Sequence, residues 1–155
     1  MEESSVNPYC APQSDLTTKT LTNNAGKFKR FSAWGVFGLT IITLGIYPIY
    51  WIYTRSNIAN SINDNKIPPI LLKVFIALTV ASFIFGVIES RELAALAGVL
   101  NIAYFVVYLI SLFKLKISLE EVLVQNSSPV LTFFGNAIYL QYKINQAIDN
   151  ASANA

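Results

Sequence analysis

Three long apolar runs constrain this chain more than any other feature of its sequence. Residues 31–53 are 23 residues without a charge. As a helix this run would be about 35 Å long, enough to cross a hydrocarbon core roughly 30 Å thick. Two further runs occupy residues 70–88, interrupted only by Lys73, and residues 93–113. With 54% hydrophobic and 13% charged residues, a soluble chain of this size could not hide such runs from water.

The surrounding medium then decides the class of fold. In lipid, every backbone amide needs a partner within the protein, so the spanning segments should be helices. The runs are continuously apolar and lack the alternation that is typical of membrane β-barrels. The sequence therefore predicts an all-α integral membrane protein. Its central transmembrane helical hairpin is flanked by two glycine-broken hydrophobic segments, re-entrant or spanning, and accompanied by short amphipathic helices.

The 155 residues are the length of one domain, with a polar tail at each end. Residues 1–27 are rich in Ser, Thr, Asn, Pro and Ala and are predicted to be disordered. Residues 28–148 form the helical membrane domain, and residues 149–155 form the second tail. A short motif in the first tail is either a turn or a docking peptide, and it consists of Asn7, Pro8 and Tyr9.

The second and third runs predict the hairpin, because only the charged link 89–92 separates them. Small residues four positions apart on each run would let the two helices approach closely in lipid. These residues are Ser82, Gly86, Ala94 and Gly98. Asn101, near the middle of the third run, should hydrogen-bond to another helix or, alternatively, contact a ligand or an ion.

A weak internal repeat relates the first run to a later apolar stretch. Each copy has a glycine, then the pattern I-Y-x-x-Y, then a basic residue. Tyrosine and tryptophan favour the headgroup level, so each copy is predicted to enter apolar material, break at its glycine and end at the interface. Pro48 strengthens the break in the first copy. The predicted break and interface residues are Gly45, Pro48, Tyr50, Trp51, Tyr53, Gly135, Tyr139 and Tyr142.

After the third run the chain becomes polar. Ser118 and Glu121 fit a capping box, which predicts that a short amphipathic helix begins there and lies at the membrane surface. Residues 129–142 are apolar but number only 14, which is typical of a re-entrant or interfacial piece rather than a span.

The distribution of basic residues favours two spans. With four spans, six basic residues would lie inside and five outside. If the first and last segments instead return to the side from which they entered, ten lie inside and only Arg91 lies outside. The positive-inside bias prefers the second arrangement, although the first run is long enough to span. Both arrangements place both termini in the cytoplasm.

The motif T-x-G-I-Y-x-x-Y-W-x-Y within residues 42–53 resembles the signature of a bacterial family, the domain of unknown function DUF4234. Residues 139–145 also resemble sequence near the end of its members. Pro48 departs from the glycine or other small residue expected there. The resemblance implies a protein of the bacterial cytoplasmic (inner) membrane and supplies no activity.

The residue types present argue against catalysis. The chain has no histidine, a single thiol at Cys10 and nine scattered carboxylates, with no ligand set or nucleotide-binding motif of recognisable spacing. We therefore expect no enzymatic activity, no cofactor and no metal. A net charge of +2 does not indicate nucleic-acid binding.

The sequence favours a non-catalytic interaction, accessory or scaffold protein. Its expected partners are the lipid bilayer and a homo-oligomer or larger membrane complex. One alternative is an oligomeric small-solute channel or transporter, because broken helices often line solute sites. Another alternative is a membrane-stress or immunity protein that acts on lipid.

Overall fold

The computed structural model describes residues 24–63, 67–87 and 93–153. The predicted tail motif at residues 7–9, Cys10 and the charged link 89–92 lie outside these ranges. The described residues contain helices and no strand, which confirms the all-α prediction. Within these ranges, a helical stretch at residues 24–26 precedes five helices: α1 (Ala33–Ile42), α2 (Tyr47–Asn60), α3 (Pro69–Val87), α4 (Ala94–Leu123) and α5 (Pro129–Ala153).

The first apolar run is two helices rather than one. After α1, Leu44 and Gly45 adopt left-handed backbone angles, with φ of 51° and 89°. The hydroxyl of Thr43 accepts a hydrogen bond from the Tyr47 amide at 2.9 Å, at the start of α2. Pro48 follows in the first turn of α2, where a missing amide breaks no helical bond. Helices of 10 and 14 residues are about 15 and 21 Å long, so neither alone crosses a bilayer.

α3 and α4 form the predicted pair of long apolar helices, and each is long and apolar enough to cross a membrane. The ring of Phe75 on α3 stacks on Tyr104 of α4 at a centroid distance of 6.0 Å and contacts Tyr108 at 5.9 Å. Only 11% of the apolar stretch of α3 and 17% of that of α4 are buried against the rest of the protein. We call α3 and α4 together the hairpin.

The prediction that a short helix begins at the capping box is wrong. α4 continues without interruption through Ser118 to Leu123, a length of 30 residues. The physical reason is that no glycine or proline stops the helix after the apolar run. Its buried stripe also continues at helical spacing through Leu112, Leu115, Leu119 and Val122.

A packed core lies at one end of the hairpin. There α1, α2 and α5 pack on one another, and α2 and α5 pack on α4, whose buried residues lie in its second half. We call this assembly of α1, α2, α5 and residues 108–123 of α4 the head. Its fully buried apolar side chains include Val36, Trp51, Ile52, Leu112, Leu115, Leu140 and Ile144.

α5 bends sharply at Asn136, whose φ of 51° and ψ of −137° are not helical. The Asn136 side-chain oxygen accepts a hydrogen bond from the Ala137 amide at 2.9 Å, which satisfies a donor that the bend frees. Gly135 is needed beside the bend, because a Cβ at this position would lie 2.7 Å from the Cβ of Tyr139. α5 then continues to Ala153, beyond the start of the predicted second tail.

Candidate functional site

The two copies of the sequence repeat meet inside the head. Trp51 and Arg55 lie one turn apart on α2, and both reach the same side-chain oxygen of Gln141 on α5. The Trp51 indole Nε1 donates to Gln141 Oε1 at 2.8 Å, and the Arg55 guanidinium donates to the same oxygen at 3.2 Å. Trp51 and Gln141 are fully buried, so these bonds form away from water. The contact joins residues 86 to 90 positions apart along the chain.

A second amide extends this contact to the segment before α1. Gln141 Nε2 donates to Asn145 Oδ1 at 2.9 Å, one turn further along α5. Asn145 in turn donates from Nδ2 to the Phe31 carbonyl oxygen at 2.7 Å and accepts from the Phe31 amide at 3.4 Å. Arg55 also donates to the Lys29 carbonyl oxygen at 3.1 Å. We call Trp51, Arg55, Gln141 and Asn145 the polar network.

Arg55 has an unusual environment for a cation. Only 8% of the residue is exposed, and its guanidinium carbon lies 5.9 Å from the centre of the Trp51 ring. The hydrogen-bond acceptors found for it in the described ranges are neutral oxygens, and its Nε has no partner there. Burial lowers the pKa of Arg55 from its usual value, while the nearby Tyr47 and Tyr50 oppose that shift. The charge is therefore held by dipoles and a ring face rather than by a carboxylate.

This arrangement binds parts of the fold together and offers no obvious reactive group. Its members are an indole, a guanidinium and two amides, none of which is an ordinary nucleophile or general base near neutral pH. Within the described ranges, no three His, Cys, Asp or Glu side chains lie close enough to hold a metal ion. The network thus fixes α2, α5 and the segment before α1 in one arrangement.

Sequence reasoning placed Trp51 at the headgroup level, whereas the structure buries it in the head with 1% exposed. It missed Gln141 and Asn145 as partners and treated Arg55 only as a flanking charge. The spacing of these residues along the sequence could have indicated the contact. Trp51 and Arg55, and likewise Gln141 and Asn145, are four residues apart and so share a helix face.

The other predicted interface residues lie nearer the surface. Tyr50, Tyr53 and Tyr142 are exposed. The hydroxyl of Tyr139 accepts a hydrogen bond from the Ser128 amide at 3.0 Å, across the start of α5.

An apolar surface covers part of the head. It comprises exposed residues of α1, of the turn after α1 and of the first turns of α5. Its most exposed side chains are Leu44, Phe134 and Trp34, with 93%, 80% and 79% of their surface accessible. Exposed apolar patches of this kind mark membrane or protein contacts. We call the surface the apolar rim, and its residues are Trp34, Phe37, Ile41, Ile42, Leu44, Ile46, Val130, Leu131, Phe133 and Phe134.

The surface of the hairpin is open at both glycines of the predicted small-residue packing. A Cβ added at Gly86 or Gly98 would meet no atom within 4 Å. Ala94 and Asn101 are exposed, and the buried Ser82 hydroxyl has no hydrogen-bond partner in the described ranges. Packing of α3 against α4 at these small residues stays a prediction.

The family model described as Domain of unknown function (DUF4234) matches residues 31–150, which confirms the resemblance seen in the sequence. No curated protein and no solved structure matches the chain.

Proposed function

Since the chain belongs to the DUF4234 family, whose description assigns no activity, we propose that it is a non-catalytic scaffold of the bacterial inner membrane. In this proposal the hairpin crosses the bilayer and the head lies at the cytoplasmic face, with both termini in the cytoplasm. The chain then presents binding surfaces to lipid and to other membrane proteins rather than transforming a substrate.

The observation that carries the proposal is the contrast in burial between hairpin and head. The apolar stretches of α3 and α4 are only 11% and 17% buried, whereas the core helix of a soluble protein is mostly covered. The 21 uncharged residues 93–113 match the hydrocarbon core in length. Lipid is the medium that accommodates such a surface without a large free-energy cost.

The apolar rim supports partial insertion of the head. The helices that carry it, α1 and the first turns of α5, are too short to span, yet their exposed faces are apolar. Lying in the cytoplasmic leaflet would cover these faces without a crossing. This placement keeps ten of the eleven basic residues on the cytoplasmic side.

The polar network supports a scaffold rather than a reaction centre. Its hydrogen bonds tie α2 to α5 and to the residues before α1, so the head holds a fixed shape. A fixed shape suits a protein whose role is to position partners, because less conformational entropy is lost on binding.

Cysteine labelling from outside the cell tests the topology. In a Cys10→Ser background, single cysteines replace Asn57, Ser90 and Asn126. We expect a membrane-impermeant maleimide to modify position 90 alone in intact spheroplasts and all three after permeabilisation. External modification at positions 57 and 126 would instead establish four spans and contradict the proposal.

Crosslinking in cells tests the scaffold role. A photoactivatable residue at Tyr142, which is exposed on the head outside the apolar rim, should capture a discrete protein partner. The same residue at the lipid-facing Val80 serves as the matched control. Crosslinks to lipid alone at both positions, together with strictly monomeric protein in mild detergent, would count against a scaffold.

A channel or transporter is the second candidate, favoured by the two interruptions at Gly45 and Asn136. Discontinuous helices often line solute sites in membrane transporters. Proteoliposomes that release entrapped ions or small solutes only when they contain the protein would favour this candidate. Vesicles that stay tight under all conditions would exclude it.

A further inference from the structure

One amide side chain lies in the part of α4 that the proposed topology places in lipid. Asn101 is the ninth of the 21 residues in the run 93–113. A rise of 1.5 Å per residue places it about 12 Å into a hydrocarbon core roughly 30 Å thick. The residue is exposed, and no hydrogen bond to it is found within the described ranges. Hydrocarbon offers the amide no donor or acceptor, so leaving it unpaired there is costly.

The helix surface beside Asn101 is uncovered and carries only small side chains. Ala94 and Gly98 precede it by seven and three residues, so the three side-chain positions lie on one side of α4. Both are exposed, and a Cβ at Gly98 would meet no atom within 4 Å. Another helix can therefore approach the α4 backbone closely at this level.

α3 does not satisfy the amide. The contacts of Phe75 with Tyr104 and Tyr108 fix the register of the hairpin. They place Thr79 and Ser82, the polar residues of α3 nearest this level, roughly opposite residues 102 and 99. The Thr79 hydroxyl donates to the Phe75 carbonyl oxygen at 2.8 Å, and the Ser82 hydroxyl is buried without a partner in the described ranges. Neither hydroxyl bonds the exposed Asn101 amide.

We propose that a second copy of this chain covers this face, with the two Asn101 amides hydrogen-bonded to each other across a two-fold axis. The inference rests on the proposed function, because it needs α4 in lipid. A two-fold interface brings the same surface of both chains together, so residues near the axis face their own copies. An amide has both a donor and an acceptor, which makes Asn101 complementary to itself.

Energy transfer between labelled copies in lipid vesicles measures the association. Donor- and acceptor-labelled chains are reconstituted over a range of protein-to-lipid ratios, and the dissociation constant is read from the dilution curve. Asn101→Leu should raise this constant by about 3- to 20-fold, as expected for one interhelical hydrogen bond in a membrane. Val106→Leu, on a different exposed part of α4, is the matched control and should leave the constant unchanged. Equal constants for Asn101→Leu and the wild type would overturn the proposal.

Thiol crosslinking tests the face directly. In the Cys10→Ser background, Gly98→Cys should form a disulfide-linked dimer when copper phenanthroline oxidises the membranes, and Val106→Cys should not. Crosslinking only at position 106, or equally at both positions, would overturn the assignment of this face.

Vesicle flotation distinguishes failure of the membrane hairpin from failure of the dimer. A chain that does not float with the vesicles contradicts the membrane hairpin and the dimer together. A chain that floats but stays monomeric at every ratio contradicts the dimer alone.

Discussion

Replacing Gln141 by leucine removes the acceptor on which the polar network converges. Gln141 Oε1 receives hydrogen bonds from Trp51 at 2.8 Å and from Arg55 at 3.2 Å, and all three residues are buried. Leucine is close to glutamine in size but carries no acceptor, so it cannot replace either bond. Both donors would then be left without this partner away from water.

The substitution also removes the bond from Gln141 Nε2 to the half-buried Asn145, but the magnitude follows mainly from the two bonds that Oε1 accepts. A buried indole N–H without an acceptor costs about 1–3 kcal/mol, and a hydrogen bond to a charged group contributes about 1.5–3 kcal/mol. Arg55 keeps its bond to the Lys29 carbonyl, and the leucine side chain gains apolar burial, so the sum is reduced. We expect Gln141→Leu to lower the free energy of unfolding by about 3 kcal/mol.

The assay is denaturant titration in mixed detergent micelles, followed by tryptophan fluorescence. All variants carry Trp34→Phe, so that the signal reports on Trp51 alone. Gln146→Leu is the matched control, since it makes the same substitution on the same helix at a partly exposed site whose partner is Lys143. We expect the control to lower the free energy of unfolding by less than about 1 kcal/mol. Equal effects of the two substitutions would show that the hydrogen bonds to Gln141 Oε1 add no stability beyond that of a half-buried surface contact.

A double-mutant cycle isolates the charged contact. Arg55→Met combined with Gln141→Leu removes both partners, so the unpaired buried charge disappears with its acceptor. The loss of unfolding free energy in the double variant should be about 1–2 kcal/mol smaller than the sum of the losses in the two single variants. Strict additivity would mean that Arg55 and Gln141 are not coupled.

The remaining predictions concern the two helix interruptions, each measured by the same titration. Gly135→Ala should lower the free energy of unfolding by about 1–3 kcal/mol, because the added Cβ would lie 2.7 Å from that of Tyr139. Gly38→Ala is the control: the position has open space and an ordinary helical φ, so the substitution should raise the free energy of unfolding by about 0.5–1 kcal/mol. Gly45→Ala should cost about 1–2 kcal/mol, since φ there is 89°; no loss would show that the turn relaxes freely. Tyr139→Phe should cost about 0.5–1.5 kcal/mol by leaving the Ser128 amide without its acceptor, and a neutral result would contradict that bond.

Features set by local composition could be read from the sequence. The hairpin follows from two apolar runs separated by a short charged link, because hydropathy and length are properties of each run alone. The interruption of the first run could be anticipated at Gly45, where a left-handed backbone favours glycine.

Features set by distant contacts could not be read in the same way. Trp51 lies among tyrosines, a pattern that is typical of a membrane-interface anchor. In the structure α5 covers it, and its partner Gln141 lies 90 residues away along the chain. Ser118 and Glu121 match a helix start, yet the same residues are compatible with the middle of a continuing helix. Glu120 instead forms an ion pair with Lys116 at 2.8 Å and accepts a bond from the Ser127 amide, both of which support the end of α4.

Spin-label accessibility in lipid vesicles tests most directly whether lipid surrounds the hairpin. Nitroxides at Val80 of α3 and Val106 of α4, both exposed in the fold, are compared with one at Asn57 of α2. If lipid surrounds the hairpin, relaxation by oxygen is strong and relaxation by a water-soluble nickel complex is weak at positions 80 and 106, with the reverse at position 57. Nickel accessibility at positions 80 and 106 equal to that at position 57 would place the hairpin in water and contradict the membrane hairpin.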